Sequence, residues 1–398
     1  MRIYRSSLFL SILLCICLIS CKEEIKETNE VHTKVATESS FTVDYAKGFT
    51  LTEFPEYTLL EVSGAFPESK DTYRYALVKE TPNISKRGGI QSLTQALENN
   101  TINAIIKVPL ASVVVTSTTH IPSLEMLGVD HTLTGFPNLD YISSAQTRKR
   151  IEEGAIKELG QNESLNTEVA IDLNPDAVIG FGVDGQNNSL NSLERAGIPV
   201  LYNGDWVEKS PLGKAEWIKF FGALYGKSQE ADSIFSAIET AYLDTKKLTQ
   251  NVTNRPTVLS GAMYKDIWYL PHGESWPAQL IEDAGGNYLW KDTKGTGSIA
   301  LNIESVLEKG QDAQFWVAPG QFGSYSKLAE ANKVYAQFEA FKNKKAYTFT
   351  SKKGATGGLL YYELAPNRPD LVLKDLVYYL HPELLPNYQP YFYTPFED

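Results

Sequence analysis

The sequence predicts an α/β protein with two α/β lobes joined by a long spanning helix, and an extra N-terminal strand-rich segment ahead of the first lobe. Three observations carry this expectation. An unusual word occurs twice: Asn166-Thr-Glu168 is followed eight residues later by Asp176-Ala177, and Asn302-Ile-Glu304 eight residues later by Asp312-Ala313. Each copy reads as a helix, a turn and a buried strand, so one α/β unit recurs in two halves of the chain. Between the copies, Trp217, Phe220, Phe221, Leu224, Ile234, Phe235, Ile238 and Leu243 recur at helical spacing within 211–250. Two strand-to-helix junctions, at 116–123 and 268–276, each present a histidine and small hydroxyl residues.

Arg2 and Arg5 precede an apolar run, 8–19, that is short for a bilayer span and ends in Leu18-Ile19-Ser20-Cys21. This resembles the bacterial lipoprotein signal, in which the cysteine becomes the lipid-modified first residue, so 1–20 is expected to be a signal peptide and Cys21 the lipidation site. All three cysteines, Cys15, Cys17 and Cys21, lie in or at the end of this segment. The remaining body therefore carries no thiol for a disulfide, a zinc cluster or a cysteine nucleophile. Residues 21–40 are polar and read as a flexible tether. The formal charge of the chain is −11, and loss of Arg2 and Arg5 makes the body more acidic still, which argues against a nucleic-acid partner.

The strand-rich extension covers 41–104. Alternation in Tyr73-Arg-Tyr-Ala-Leu-Val predicts an antiparallel meander with a turn near Pro67, and a helix is expected over 91–98 after Gly88-Gly89. The N-terminal lobe, 41–210 with this extension, has its strongest strand at Ala111-Ser-Val-Val-Val. That strand leads into Thr116-Ser-Thr-Thr-His120-Ile-Pro122 and a helix over 123–127. In the repeat, Asn166 and Asn302 are good N-caps, and Glu168 and Glu304 meet the positive end of the helix dipole. Val169, Ile171 and Leu173, and Ile303, Val306 and Leu307, supply apolar contacts. Asn174-Pro175 and Lys309-Gly310 end the helices, and Ala177-Val-Ile-Gly-Phe and Ala313-Gln-Phe-Trp-Val read as buried parallel strands. Gly226 and Ser228 divide the interlobe backbone, 211–250, into two helices. In the C-terminal lobe, 251–398, Trp268-Tyr-Leu-Pro-His272-Gly-Glu274-Ser275-Trp276 precedes a helix over 277–283. His120 stands three before Ser123 and His272 three before Ser275.

The order of Pro109-Leu-Ala-Ser-Val-Val-Val, Asn166-x-Glu168 with Asn174-Pro175-Asp176-Ala-Val, Ala196-Gly-Ile-Pro-Val-Leu, the spanning helix, Gln279-Leu-Ile-Glu-Asp-Ala-Gly-Gly286 and Asn302-x-Glu304 resembles the helical-backbone substrate-binding proteins of ABC importers, the group that handles cobalamin, haem and ferric siderophores. The resemblance covers roughly 105–385 and includes the closing Arg368-Pro-Asp-Leu-Val-Leu-Lys-Asp-Leu helix. It implies no catalysis and no intrinsic cofactor, with a metal chelate (ferric siderophore, haem or cobalamin) bound between the lobes. It also implies an ABC permease dimer with its ATPase as partner, and a monomer held in the cell envelope through lipidated Cys21, facing the periplasm. Export to the surface stays open. Glu168 and Glu304 match the positions that dock on permease arginines.

For the ligand itself, aromatic walls and polar anchors are expected from Phe181, Trp206, Tyr264, Trp268, Trp276 and Tyr325, from Thr118, Thr119, His120 and His272 at the junctions, and from Arg368. The paired histidines keep haem-iron coordination open. Two rival classes remain, a zinc- or manganese-binding transport lipoprotein and a non-transport surface lipoprotein. An enzyme is not expected, since Gly-x-Ser-x-Gly, His-Glu-x-x-His and Gly-Lys-Ser/Thr are all absent.

Overall fold

The computed structural model describes residues 42–55, 57–79, 99, 101–182 and 187–398. The expected signal peptide, the expected tether with Cys21 and the expected helix over 91–98 lie outside the described residues.

The strand-rich extension forms its own four-stranded sheet. Strands β1 (Phe49–Glu53), β2 (Thr58–Ser63) and β3 (Thr72–Lys79) pair as an antiparallel meander, and β4 (Ala104–Val108) joins β3 in parallel. The β2–β3 turn runs through Phe66-Pro67-Glu68-Ser69, with Glu68 at φ 61° and the Ser69 amide donating to the Phe66 carbonyl at 3.1 Å. This sheet is part of the first lobe's core. Phe66 and Tyr73 pack on Tyr202, Phe49 packs on Trp217, and the Tyr75 hydroxyl accepts from the Tyr202 amide at 3.1 Å.

The first lobe is a five-stranded parallel sheet built from β5 (Val113–Val115), β6 (Leu133–Phe136), β7 (Lys157–Glu158), β10 (Ala177–Gly180) and β11 (Val200–Tyr202), in the order β11-β10-β5-β6-β7. A short ribbon, β8 (Gly160–Gln161) with β9 (Ser164–Leu165), sits between β7 and the repeat helix. Val113, Val114 and Val115 are each fully buried, as a central strand covered on both faces requires.

The helix expected to begin at Ser123 begins at His120 and runs to Met126. Pro122 falls in its first turn, where a missing N–H costs no hydrogen bond, so the helix extends back over it. The corresponding helix of the second lobe, Trp276–Asp283, starts at an N-cap, Ser275, whose hydroxyl accepts from the Ala278 amide. The two junctions therefore differ in register: Ser275 caps its helix, while Ser123 lies inside one.

The repeat helices are Thr167–Leu173 and Ile303–Gly310. Asn166 accepts from the Val169 amide at 3.2 Å and Asn302 from the Ser305 amide at 2.9 Å. Ile171 does not make the expected contact; it is 44% exposed, because Ala170 is the buried position of that short helix and Ile171, about 100° further round it, turns to solvent.

Three helices, not two, connect the lobes: Pro211–Glu216, Ile218–Leu224 and Ser228–Thr249. Gly226, at φ 63°, makes the expected break, and a second falls at Trp217. The long helix serves both cores in turn. Ala231, Phe235 and Ile238 lie in the first, and Tyr242 in the second. Leu243, counted in the apolar stripe, is 43% exposed because Tyr242 takes the inward position at that turn. Two buried carboxylates, one on the first of these helices and one just ahead of it, fasten the incoming chain. Glu216 accepts from the amides of Asp44, Tyr45 and Ala46, and Glu208 from those of Lys47 and Gly48.

The second lobe repeats the architecture with β12 (Thr257–Ser260), β15 (Asn287–Tyr288), β17 (Phe315–Val317), β18 (Ala346–Thr348) and β19 (Thr394–Pro395). The order is β15-β12-β17-β18-β19, with only β19 antiparallel. The aromatic C-terminal tail thus supplies an edge strand, where Pro395 is tolerated. Beside this sheet stands a three-stranded antiparallel one, β13 (Ala262–Tyr264), β14 (Ile267–Pro271) and β16 (Ser298–Leu301).

Candidate functional site

Parallel strands leave a crevice beyond their carboxyl ends, and in the second lobe that crevice is a cavity of about 690 Å³. Ser260 and Val317, the last residues of β12 and β17, form its floor; β13 and β14 form one wall, and the helix Leu360–Leu364 with Pro366 another. Gly261 makes the turn from floor to wall. It sits at φ 77°, and a Cβ there would lie 1.9 Å from the Tyr269 carbonyl oxygen, so only glycine allows the hairpin to fold back this closely.

The lining is mainly aromatic and aliphatic. Phe349 stacks on Tyr361 with centroids 4.1 Å apart at 11°, and Tyr361 in turn stacks on Trp276 at 6.3 Å and 20°. Met263, Leu280, Ile281, Phe322, Val372 and Leu376 complete the apolar surface, while Ser260, Ser298 and Gln321 add uncharged polar groups. Tyr264, Tyr269 and Tyr362 stand at the mouth, 68%, 41% and 51% exposed. Large exposed rings grouped around one opening mark a surface kept for contact with something else. Burial raises the Tyr361, Tyr362 and Tyr393 hydroxyls above their usual value, so they stay protonated donors at neutral pH.

Of the residues expected to meet ligand, Tyr264 and Trp276 line this cavity. Trp276 also meets the first connecting helix: the Lys214 ammonium lies 5.8 Å from its ring centroid and donates to the Asp205 and Trp206 carbonyls. Phe181 and Trp206 form their own edge-to-face pair, 5.5 Å apart, within the first lobe. Trp268 is fully buried and stacks on Trp316 at 5.4 Å, its indole N–H donating to the Ser260 carbonyl. Tyr325 is also core, packed against Phe341 and Phe396, with its hydroxyl accepting from the Ala346 amide.

Arg368 already holds a counter-charge, since its guanidinium grips Asp370 through two bonds of 2.8 Å. His120 is fully buried against Phe221, and burial lowers its pKa and keeps it neutral. His272 lies beside Gly295, outside the cavity lining. The paired histidines are thus not brought together. Among the described residues no group of three or more His, Cys, Asp or Glu converges as a metal site.

The 116–123 junction instead helps to hold the lobes together. Asn367 donates to the Thr119 carbonyl at 2.8 Å and accepts from the Ser123 hydroxyl at 2.9 Å, and the Thr119 hydroxyl donates to Asp205 at 2.7 Å. Thr118 is half-buried, and its carbonyl accepts from the Ile121 amide. Sequence reasoning missed Met263, Tyr269, Phe322, Phe349, Tyr361, Tyr362 and Tyr393. The adjacent Tyr361-Tyr362 pair and the aromatic tail were the available signals. Glu168 and Glu304 are exposed in the first turns of their helices, one in each lobe.

An uncharacterized lipoprotein of Methanocaldococcus jannaschii is 29% identical over 302 residues, covering 73% of this chain and 70% of the relative. A second from the same organism is 25% identical over 292 residues, covering 70% and 72%. Among solved structures, a periplasmic heme binding protein from Pseudomonas aeruginosa matches with TM-score 0.54 at 17% identity, over 73% of this chain and 99% of the other. A possible iron-binding (periplasmic solute-binding) protein from Staphylococcus epidermidis gives 0.53 at 17%, over 69% and 99%. A Fe3+-hydroxamate transport system protein from Saccharomonospora viridis gives 0.52 at 17%, over 69% and 94%. At these identities the structures speak for the two-lobed fold. Among the described residues no helix is long and apolar enough to cross a membrane. Residues 113–352, more than half of the chain, match the family model described as periplasmic binding protein, and the chain belongs to that family of non-catalytic solute-binding components of ABC transport.

Proposed function

We propose that this chain is the lipid-anchored substrate-binding component of an ABC importer for a metal chelate, a ferric siderophore, haem or cobalamin, which it captures in the second-lobe cavity. The observation that carries this reading is the cavity itself. A ring column of Trp276, Tyr361 and Phe349 lining about 690 Å³ suits the flat or globular apolar faces of a chelate and does not suit a bare ion. The solved relatives named for haem and for Fe3+-hydroxamate support the same class. Anchoring rests on Cys21 and on relatives named lipoproteins.

Glu168 and Glu304 serve as docking points for the permease, one per lobe. Exposed charge pairs of this kind steer association and fix orientation more than they add affinity. The double variant Glu168→Arg plus Glu304→Arg is expected to abolish uptake in cells while ligand affinity, titrated by tryptophan fluorescence, stays within a factor of about two. Loss of ligand binding in that variant would reject the docking role.

A further inference from the structure

Resting on the chelate-capture reading above, we propose that the cavity is selective for an uncharged chelate, a neutral hydroxamate or a corrinoid, over polyanionic catecholates and porphyrin carboxylates. None of the described residues lining it is Asp, Glu, His, Lys or Arg; its polar side-chain groups are serine and tyrosine hydroxyls, the Trp276 indole N–H and the Gln321 amide.

Cations flanking the lining are either paired with carboxylates or screened by solvent. Arg368, two residues beyond Pro366 of the lining, is neutralised by Asp370 through paired 2.8 Å bonds. Lys214, which approaches Trp276, donates to the Asp205 and Trp206 carbonyls and has the Asp205 and Glu208 carboxylates to balance its charge. Lys265 lies over the outer Tyr264 ring, in solvent, where its charge is screened.

A ligand carrying two or three negative charges would leave water for this wall without a counter-charge, which is strongly unfavourable. A neutral ligand incurs no such penalty. Hydroxyls and one amide are enough to orient carbonyl and amide groups, and the rings cover its apolar faces.

The test uses the purified full chain in detergent, titrated by tryptophan fluorescence with ferrichrome, cyanocobalamin, the triply negative ferric tris-catecholate enterobactin and haemin. At least one of the two neutral probes is expected to bind at micromolar or tighter Kd, and the pair identifies which source the chelate comes from. Both anionic probes are expected to bind at least about 100-fold more weakly. The neutral Kd should change less than about twofold between roughly 50 and 500 mM NaCl, because no charge pair is there to be screened. Gln321 is exposed at the cavity edge. Gln321→Lys is expected to strengthen tris-catecholate binding at least about tenfold, since it adds the missing counter-charge. An anionic probe binding as tightly as the neutral ones, a marked salt dependence of the neutral Kd, or no gain with Gln321→Lys overturns the selectivity while leaving chelate capture standing. Silence across all four probes overturns chelate capture and this inference with it.

Discussion

At Glu216, one fully buried carboxylate accepts three consecutive backbone amides at 2.7 to 2.9 Å and pairs with Lys219 at 3.1 Å, itself almost buried. A buried charge of this kind is tolerated because every lone pair has a donor. Glu216→Ala would leave three buried amides without an acceptor and take away one of the two carboxylates paired with Lys219. We expect a loss of about 3–5 kcal/mol in urea unfolding, with Glu216→Gln intermediate. Single residues are also where sequence reasoning was weakest. His120 and His272 share a spacing to serine, but spacing along a strand-to-helix junction does not reveal helix register. One extra turn of helix carries His120 into the core. Trp268 and Tyr325 show the same limit: an aromatic that stacks in a core and one that lines a cavity are the same letter, and only the neighbouring elements decide between them.

Among elements, the C-terminal tail depends on Asp375. Its carboxylate, nearly inaccessible, accepts from the amides of Tyr391, Phe392 and Tyr393 and from the Tyr388 hydroxyl, which positions β19 at the sheet edge and Tyr393 at the cavity. Asp375→Ala is expected to cost about 3 kcal/mol and to expose the tail to protease cleavage beyond residue 385. Elements with a strong local pattern were legible. The valine run of β5, the asparagine caps of the repeat helices and the glycine break at 226 follow directly from residue chemistry. The tail strand was not legible, because two residues, one of them a proline, carry no periodicity; its place comes from a carboxylate on the helix Pro369–Leu380.

At the scale of the molecule, the seam between the lobes contains a group that titrates near neutrality. Glu363, from the second lobe, accepts from the Ser143 and Ser144 amides of the first at 2.7 and 2.9 Å. Burial pushes its carboxyl up to about 7, opposed by the Ser143 amide and reinforced by the charge of Glu125, with the Ser144 amide a further opposing influence. The folded chain therefore holds a proton that an unfolded carboxyl, with its ordinary value of 4.5, has already released. The associated stability is fully present below 4.5 and is lost as pH rises through about 7. Thermal unfolding is expected to show stability falling by on the order of 1–3 kcal/mol between about pH 5 and pH 8, and Glu363→Gln should flatten that slope. The two-lobed plan was readable from a repeated word and a helical stripe. The seam was not, since Ser123 and Asn367, or Ser143 and Glu363, lie more than two hundred residues apart and share no local pattern.

The clamp at Glu216 and Glu208 also decides where tension enters the protein. The helix that carries Glu216 contributes Ala215 to the first core and Leu212 to the second, so it belongs to both. A pull arriving along the chain ahead of Asp44 is passed to this shared spine before it can reach either sheet. Tension applied there therefore loads both lobes together.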